Sequence, residues 1–124
     1  MTVRALTLLT RKTGTTVEEF TDYWRNVHAP IAVRFPNLVS YEQHLTVGTV
    51  TRGDVPAPEA DVDGISELTF DSREDLEAAL ASDVAREAAD DAGNFMDRMR
   101  MYIVDTSVVV VDGQVHLPAG SRRG

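Results

Sequence analysis

The chain has 124 residues, 43% of them hydrophobic and none of them Cys, which predicts one domain with a single core and excludes disulfides and thiolate chemistry. Its formal net charge of -8 repels phosphate backbones, so the composition argues against a nucleic-acid partner. No apolar run approaches the roughly 20 residues that span a bilayer and no signal-peptide pattern opens the chain, so we expect a cytoplasmic protein without a membrane partner.

The first two predicted elements are a strand and an amphipathic helix. Residues 3–11 are rich in Val, Leu and Thr, which is typical of a strand. A helix is predicted over residues 17–28, because Thr16 and Glu19 have the spacing of a capping box that would satisfy free amide groups at the helix start.

The apolar stripe of this helix ends in an imidazole. Phe20, Trp24 and His28 are four residues apart and therefore share one helix face. Pro30 cannot donate an amide hydrogen and disfavours helical geometry at Ala29, so we expect the helix to end or kink near His28, followed by a short irregular helical turn. The stripe delivers an ionisable ring to the inner edge of the fold. There it is either a core or capping residue whose nitrogens are hydrogen-bonded, or a group that transfers protons in catalysis.

The rest of the chain continues with two strands, a helical region and a last strand. The predicted elements are a strand over residues 38–47, a polar loop over 48–63, a strand over 64–70, helical stretches over 72–80 and from 84 to about 92, and a strand over 101–111. The acidic residues between 73 and 91 are interpreted as a solvated helix face. We expect one domain over residues 1–112 and a flexible C-terminal tail, or an arm that clasps a second copy, over 113–124.

The order of the elements predicts an α+β fold of the ferredoxin-like type, βαββαβ, with a four-stranded antiparallel sheet and both helices on one face. Strand alternation places Leu68 and Phe70 toward the helices and Glu67 on the open face. Leu6 and Leu8 lie on one face of the first strand, and the other face is also apolar. Because the helices cover only one face of the sheet, the open face needs a cover of its own. A second copy is the simplest cover, which predicts a homodimer with a barrel-like arrangement of two sheets.

Several short motifs together resemble the EthD family, within the dimeric α/β-barrel superfamily. They are Arg11-Lys12, Gly14, Glu19-Phe20, Trp24, His28-Ala29-Pro30, Asp63-Gly64-Ile65-Ser66-Glu67-Leu68 and Asn94-Phe95. The likeness covers about residues 3–111 and implies a dimeric α/β barrel with a pocket in each protomer between sheet and helices. Thr69 stands where the family often has an aromatic residue, and this departure bears on pocket size and substrate class.

The candidate chemistry is acid–base catalysis without a cofactor. His28 can take or give a proton near neutral pH, and Glu67 is the carboxylate that could orient or charge it. The side chains considered as hydrogen-bond donors or as walls of a substrate slot are Phe20, Tyr23, Trp24, Tyr41, His44, Thr69 and Tyr102. For each aromatic member of this set, packing without a role in chemistry is the alternative.

The spacing of the histidines predicts neither a metal site nor a cofactor. His28, His44 and His116 are 16 and 72 positions apart, which lacks the short spacing that brings two imidazoles to one metal. The glycines Gly48, Gly53 and Gly64 do not form a phosphate-binding loop. We therefore expect a small-molecule substrate and no bound cofactor.

Three functions from different classes remain open from the sequence. The family resemblance implies a cofactor-free lyase or isomerase, of the dehydratase, decarboxylase or lactone isomerase type, acting on a small enolisable aromatic or polyketide-like molecule. The first alternative is a cofactor-independent monooxygenase of phenolic or polyketide substrates. The second is a non-catalytic dimeric protein that binds a small molecule. Oxygen uptake with a phenol separates the first two, and a ligand that stays chemically unchanged favours the third.

Overall fold

A computed structural model describes residues 2–56 and 62–117. Its elements in chain order are β1 (Val3–Arg11), α1 (Val17–Tyr23), a π-helical turn (Trp24–His28), α2 (Ala29–Ala32), β2 (Ser40–Leu45), β3 (Gly64–Phe70), α3 (Arg73–Leu80), α4 (Asp83–Ala92), β4 (Met96–Asp105), β5 (Val110–Val111) and β6 (Gln114–Val115). The first four strands form an antiparallel sheet in the order β2-β3-β1-β4. This arrangement confirms the predicted α+β fold. None of the described helices is long and apolar enough to cross a membrane.

The core lies between the helices and one face of the sheet. Ala5 and Leu9 of β1 are almost fully buried, whereas Leu6 between them is only partly buried. Leu68 and Phe70 of β3 belong to the same buried cluster as Ala5, and α3 packs on this cluster. Alternation along β3 therefore assigns its helix-covered face correctly.

α1 and the π-helical turn each present one aromatic ring to a second buried cluster. The start of α1 is the predicted capping box, in which Glu19 N–H donates to Thr16 Oγ1 at 3.1 Å and Thr16 N–H donates to Glu19 Oε1 at 3.0 Å. Phe20 and Trp24 are each 1% exposed, and their ring centroids are 5.3 Å apart. Phe95 packs against Phe20 at 5.9 Å, so the end of α4 is held against α1.

The helical backbone continues past His28, where the sequence predicts that the helix ends or kinks and a short irregular helical turn follows. The chain widens into the π-helical turn, in which Ala29 N–H donates to the carbonyl oxygen of Trp24, one residue further back than in an α-helix. Ala29 itself keeps helical angles, with φ -55° and ψ -41°. Pro30 then lies in the first turn of α2, where a missing amide hydrogen removes no hydrogen bond of that helix. The helical backbone thus continues from the π-helical turn through Pro30 into α2.

The last strand of the sheet begins five residues earlier than predicted and ends at Asp105. Its first half contains Met and Arg instead of β-branched residues, so local composition does not reveal it. Pairing with β1 along its whole length decides its extent, including Leu9 opposite Met99 and Leu6 opposite Tyr102.

A short hairpin that is not among the predicted elements follows the sheet. β5 pairs with β6 around Asp112 and Gly113, whose φ angles of 51° and 75° suit a tight two-residue turn. The predicted tail from residue 113 therefore begins inside a hairpin, while its part over 118–124 lies outside the described residues. Residues 57–61 of the predicted polar loop also lie outside them.

Candidate active site

A cavity of about 270 Å³ lies between the sheet and the helices. Its walls are mostly apolar, and they come from the four strands of the sheet, the π-helical turn, α2, α3 and α4. The polar side chains that reach it are Thr7, His28, Tyr41 and Ser66. Of the described residues that line it, none is Lys, Arg, Asp or Glu.

His28 lines this cavity, and its imidazole contacts a carboxylate. Its Nδ1 lies 2.9 Å from Oδ2 of Asp91, and the two side chains are only 12% and 11% exposed. His28 lines the cavity and Asp91 does not. The imidazole therefore lies between the carboxylate and any ligand in the cavity.

Asp91 is fully engaged by hydrogen-bond donors. Tyr23 Oη donates to Asp91 Oδ1 at 2.6 Å, and Asn94 Nδ2 donates to the same oxygen at 3.1 Å. Burial opposes ionisation of Asp91, but hydrogen bonds from Tyr23, His28 and Asn94 outweigh it and lower its pKa. The bond to Asp91 in turn raises the pKa of the Tyr23 hydroxyl, with burial adding to it. At neutral pH the network thus contains an ionised Asp91 and a protonated Tyr23.

These partners fix the tautomer of His28. An ionised carboxylate only accepts hydrogen bonds, so Nδ1 of His28 must carry the hydrogen that points to Asp91. In the neutral imidazole the other nitrogen, Nε2, then carries a lone pair. Nε2 is the atom left to accept a proton from a ligand in the cavity, which is the arrangement of a general base.

Phe95 holds the rings of this network in place. Its centroid is 4.7 Å from that of His28 and 5.3 Å from that of Tyr23, and Phe95 itself is 2% exposed. A buried ring against both side chains restricts their rotation, and the network is therefore pre-organised.

Three of the predicted site residues meet at the cavity, and a fourth lies behind them. His28, Trp24 and Tyr41 line it. Phe20 is a core residue that packs against Trp24 and does not line the cavity. Burial raises the pKa of Tyr41, which keeps its hydroxyl protonated at neutral pH.

The expected pairing of Glu67 with His28 is not found. Glu67 lies opposite Leu6 on the open face of the sheet, where it contacts Arg4 Nη1 and His44 Nε2, both at 3.3 Å. Strand alternation places it there, away from the cavity. Asp91 orients His28 instead.

Three further candidates also lie away from the cavity. His44 and Tyr102 belong to the open face, with Tyr102 opposite Leu6, and Thr69 is a buried strand residue opposite Arg4. Roles for these three residues in contacting the substrate stay predictions without support from this geometry.

One group of potential metal ligands occurs among the described residues, although the spacing of the histidines does not predict it. Glu42, His44 and Glu67 each present one ligand atom, and these atoms lie within 4.8 Å of one another. The strands β2 and β3 bring them together across the sheet. Arg4 pairs with Glu67, and Nε2 of His44 lies 3.4 Å from Oε2 of Glu42, so each member of the group already has a protein partner.

Asp91 is the candidate site residue that the sequence interpretation misses, since the acidic part of α4 is assigned to solvent. A signal for it does exist in the chain. Asp91 lies three residues after the buried Ala88 in α4, which is the spacing of one helix face. Its neighbour Asp90 lies off this face and is exposed.

Comparison with known proteins agrees with this architecture. Residues 12–99 match the sequence profile of the EthD domain, which is more than half of the chain. The chain belongs to the EthD family. An EthD family protein from Bacillus halodurans has a similar structure, with a TM-score of 0.67, 22% identity, and coverage of 86% of this chain and 100% of that one. An EthD-like protein from Ralstonia eutropha gives a TM-score of 0.63 at 20% identity, over 90% and 94% of the two chains.

The fold of this EthD protein is also shared with an oxygenase. SnoaB from Streptomyces nogalater, a cofactor-independent oxygenase, has a TM-score of 0.55 at 13% identity, with 85% of this chain and 92% of that one covered. No curated protein matches the chain. At these identities the solved structures establish the fold, and the chemistry has to be argued from the site.

Proposed function

We propose that this EthD protein is a cofactor-free lyase or isomerase that removes a proton next to a carbonyl group of a small, enolisable substrate. The observation that carries the proposal is the 2.9 Å contact between His28 Nδ1 and Asp91 Oδ2 at the wall of an apolar cavity. In the neutral imidazole this contact supports the tautomer with a lone pair on Nε2, which is the atom that such a reaction needs.

The proposed first step is proton transfer. His28 Nε2 takes a proton from the carbon next to the carbonyl, that C–H bond breaks, and its electron pair moves into the enolate as charge on oxygen. Asp91 stabilises the imidazolium that forms, because it is ionised and fixed beside Nδ1. An isomerase then returns the proton to another carbon. A dehydratase uses it on a departing hydroxyl group. A decarboxylase would not begin with this step, because its enolate forms by loss of carbon dioxide and not by removal of a proton.

The cavity supports a small substrate without a fixed charge. Its volume of about 270 Å³ is near the lower end of ligand pockets, which commonly span about 300–1,000 Å³. No charged side chain other than His28, when protonated, reaches it among the described residues. A carboxylate or phosphate on the substrate would lose its hydration without a cationic partner, so a neutral aromatic or polyketide-like ketone fits best.

We also infer that the protein is a homodimer that packs through the open sheet face. Leu6, Leu8 and Ile65 are only partly buried on that face, and Tyr102 is 45% exposed. A row of large apolar side chains across three strands is the pattern of a surface that another copy covers. The barrel arrangement expected from the sequence stays a proposal.

The test uses 2-tetralone, a neutral enolisable aromatic ketone, in heavy water. Nuclear magnetic resonance follows deuterium entering the carbons next to the carbonyl. The expected result is exchange well above the buffer rate with the wild-type protein, and a return toward the buffer rate in His28→Asn. Bound 2-tetralone that exchanges no faster than in buffer would contradict the proposed proton transfer.

The fold shared with SnoaB favours a second candidate, cofactor-independent oxygenation of a phenol. The same His28 would then deprotonate the phenolic hydroxyl, and oxygen would be consumed. An oxygen electrode with 1-naphthol separates this activity from proton exchange. A co-purified ligand that native mass spectrometry finds unchanged after incubation would favour the non-catalytic binding protein.

A further inference from the structure

Gln43 forms a bridge between the π-helical turn and the tyrosine of the cavity. Its Nε2 lies 3.0 Å from the main-chain oxygen of Trp24 and 2.7 Å from Oη of Tyr41. A main-chain carbonyl oxygen only accepts hydrogen bonds, so the atom that contacts it must be the amide nitrogen. The two hydrogens of that nitrogen therefore go to Trp24 and to Tyr41.

The π-helical turn supplies the acceptor that orients this amide. The oxygen of Trp24 also accepts the N–H of Ala29, and a carbonyl oxygen has two lone pairs, so it can serve both donors. Gln43 is itself partly buried on β2, which limits rotation of its side chain. The amide thus has one orientation that satisfies both contacts.

Tyr41 consequently receives a hydrogen from Gln43 and keeps its own. Burial raises the pKa of its hydroxyl, and the hydrogen bonds from Gln43 and Trp24 counter only part of this rise, so the group stays neutral. Tyr41 lines the same cavity as His28. Its own hydrogen is then available to an acceptor inside that cavity.

We propose that Gln43 is a positioning residue that holds the Tyr41 hydroxyl as a hydrogen-bond donor to the cavity, so that the site selects a ligand with a carbonyl or enolate oxygen. This inference deepens the proposed function and rests on it for the identity of the substrate class. A base and a fixed donor in one cavity complement each other. The donor stabilises the negative charge that develops on oxygen when the base removes the proton.

The first test reads the direction of the hydrogen bond in the protein without ligand. Tyrosine labelled with carbon-13 at Cζ reports the pKa of Tyr41, with Tyr23 and Tyr102 as internal references. If Gln43 donates to Tyr41, Gln43→Met removes a bond that favours the ionised form and raises the pKa of Tyr41. If Tyr41 donates to Gln43, the same change lowers it, and the proposal is overturned. Gln114→Met, the same change at an exposed position, should leave Tyr41 unchanged.

The second test measures the preference of the cavity for an acceptor oxygen. The probes are 2-tetralone and its analogue with a methylene group in place of the carbonyl oxygen. We expect the affinity ratio of the two probes to fall by about threefold to tenfold in Tyr41→Phe, the value of one hydrogen bond. Gln43→Glu should lower it similarly, because the carboxylate accepts the Tyr41 hydrogen that the ketone would otherwise receive.

The outcomes separate this proposal from the proposed function. A wild-type preference retained in Tyr41→Phe would show that Tyr41 is not the donor, and one retained in Gln43→Glu would show that Gln43 does not orient it. Either result overturns the inference while leaving proton exchange by His28 intact. Conversely, absence of exchange with bound 2-tetralone rejects the proposed reaction and does not affect the pKa of Tyr41. If neither probe binds, the direction of the Tyr41 pKa change in Gln43→Met still decides whether Gln43 donates to Tyr41, and a lowered pKa overturns the proposal.

Discussion

Gly64 lies so close to Trp24 that a Cβ atom at residue 64 would be 2.7 Å from both Cη2 and Cζ3 of the indole. The same atom would lie 3.4 Å from Cζ of Phe20. These rings are packed on several sides, so neither can move away without disturbing the cluster below the cavity. The absence of a side chain at Gly64, the first residue of β3, thus leaves the space that the Trp24 indole occupies.

Gly64→Ala should therefore destabilise the protein by about 1–3 kcal/mol, the usual cost of overpacking a core. Chemical unfolding in urea measures the change. Gly48→Ala is the matched control, because nothing lies within 4 Å of the added methyl group there, and we expect it to change the free energy of unfolding by less than about 0.5 kcal/mol. Equal stabilities of the two variants would contradict the close packing.

His28→Asn tests the proposed proton transfer in a side chain that keeps some hydrogen-bonding capacity. General acid–base catalysis commonly contributes about 10²–10⁴-fold, so the rate of deuterium exchange into 2-tetralone should fall by that order while the probe still binds. A folded His28→Asn variant that exchanges within about threefold of wild type, less than 1 kcal/mol in barrier height, would make His28 a structural residue.

Asp91→Asn should lower the same exchange rate by a smaller factor. The amide keeps the shape of the side chain but removes the charge that stabilises imidazolium. Hydrogen bonds to charged groups contribute about 1.5–3 kcal/mol, which corresponds to roughly tenfold to a hundredfold in rate if the contribution arises in the transition state. Asp90→Asn provides the control on the exposed neighbouring position. An equal effect of both variants would remove Asp91 from the proposed mechanism.

The lowered pKa of Asp91 predicts a contribution to stability that depends on pH. Its folded-state pKa lies below its ordinary value of 3.8, so its ionised form stabilises the fold fully above that value. As the pH falls through the lowered pKa of the folded state, this contribution is lost. The free energy of unfolding of the wild type should hence fall relative to that of Asp91→Asn as the pH is lowered below about 4. A difference between these two free energies that stays constant down to pH 2 would contradict the assignment.

The open sheet face predicts a homodimer in solution. Obligate interfaces of this kind bury on the order of 2,000 Å² or more, so light scattering at micromolar concentration should give twice the mass of the chain. Leu8→Glu places a charge in the centre of that face and should produce monomers. Val33→Glu changes an exposed apolar residue that follows α2 and should leave the dimer intact. A monomeric wild-type protein would reject the predicted interface.

Much of the fold can be predicted from local patterns. Alternation along β3 assigns Leu68 and Phe70 to the helices and Glu67 to the open face, because successive strand residues point to opposite sides. The capping box at Thr16 marks the start of α1 for an equally local reason. The extent of β4 cannot be read in this way, since backbone pairing with β1 decides it. The hairpin after it does carry a local signal, the Asp112-Gly113 pair with its two positive φ angles, which the sequence interpretation misses.

The candidate site, like the fold, is predicted in part from local sequence and in part is decided by tertiary packing. The sequence alone places His28 at the inner end of an aromatic stripe and points to the EthD family, because helical period and short motifs are properties of neighbouring residues. Only the tertiary structure decides that Asp91, 63 positions away, is its partner and that Gln43 contacts both Trp24 and Tyr41. Periodicity states which face of its own element a side chain occupies. Packing of separate elements determines which of those faces meet, at distances that hydrogen bonds require.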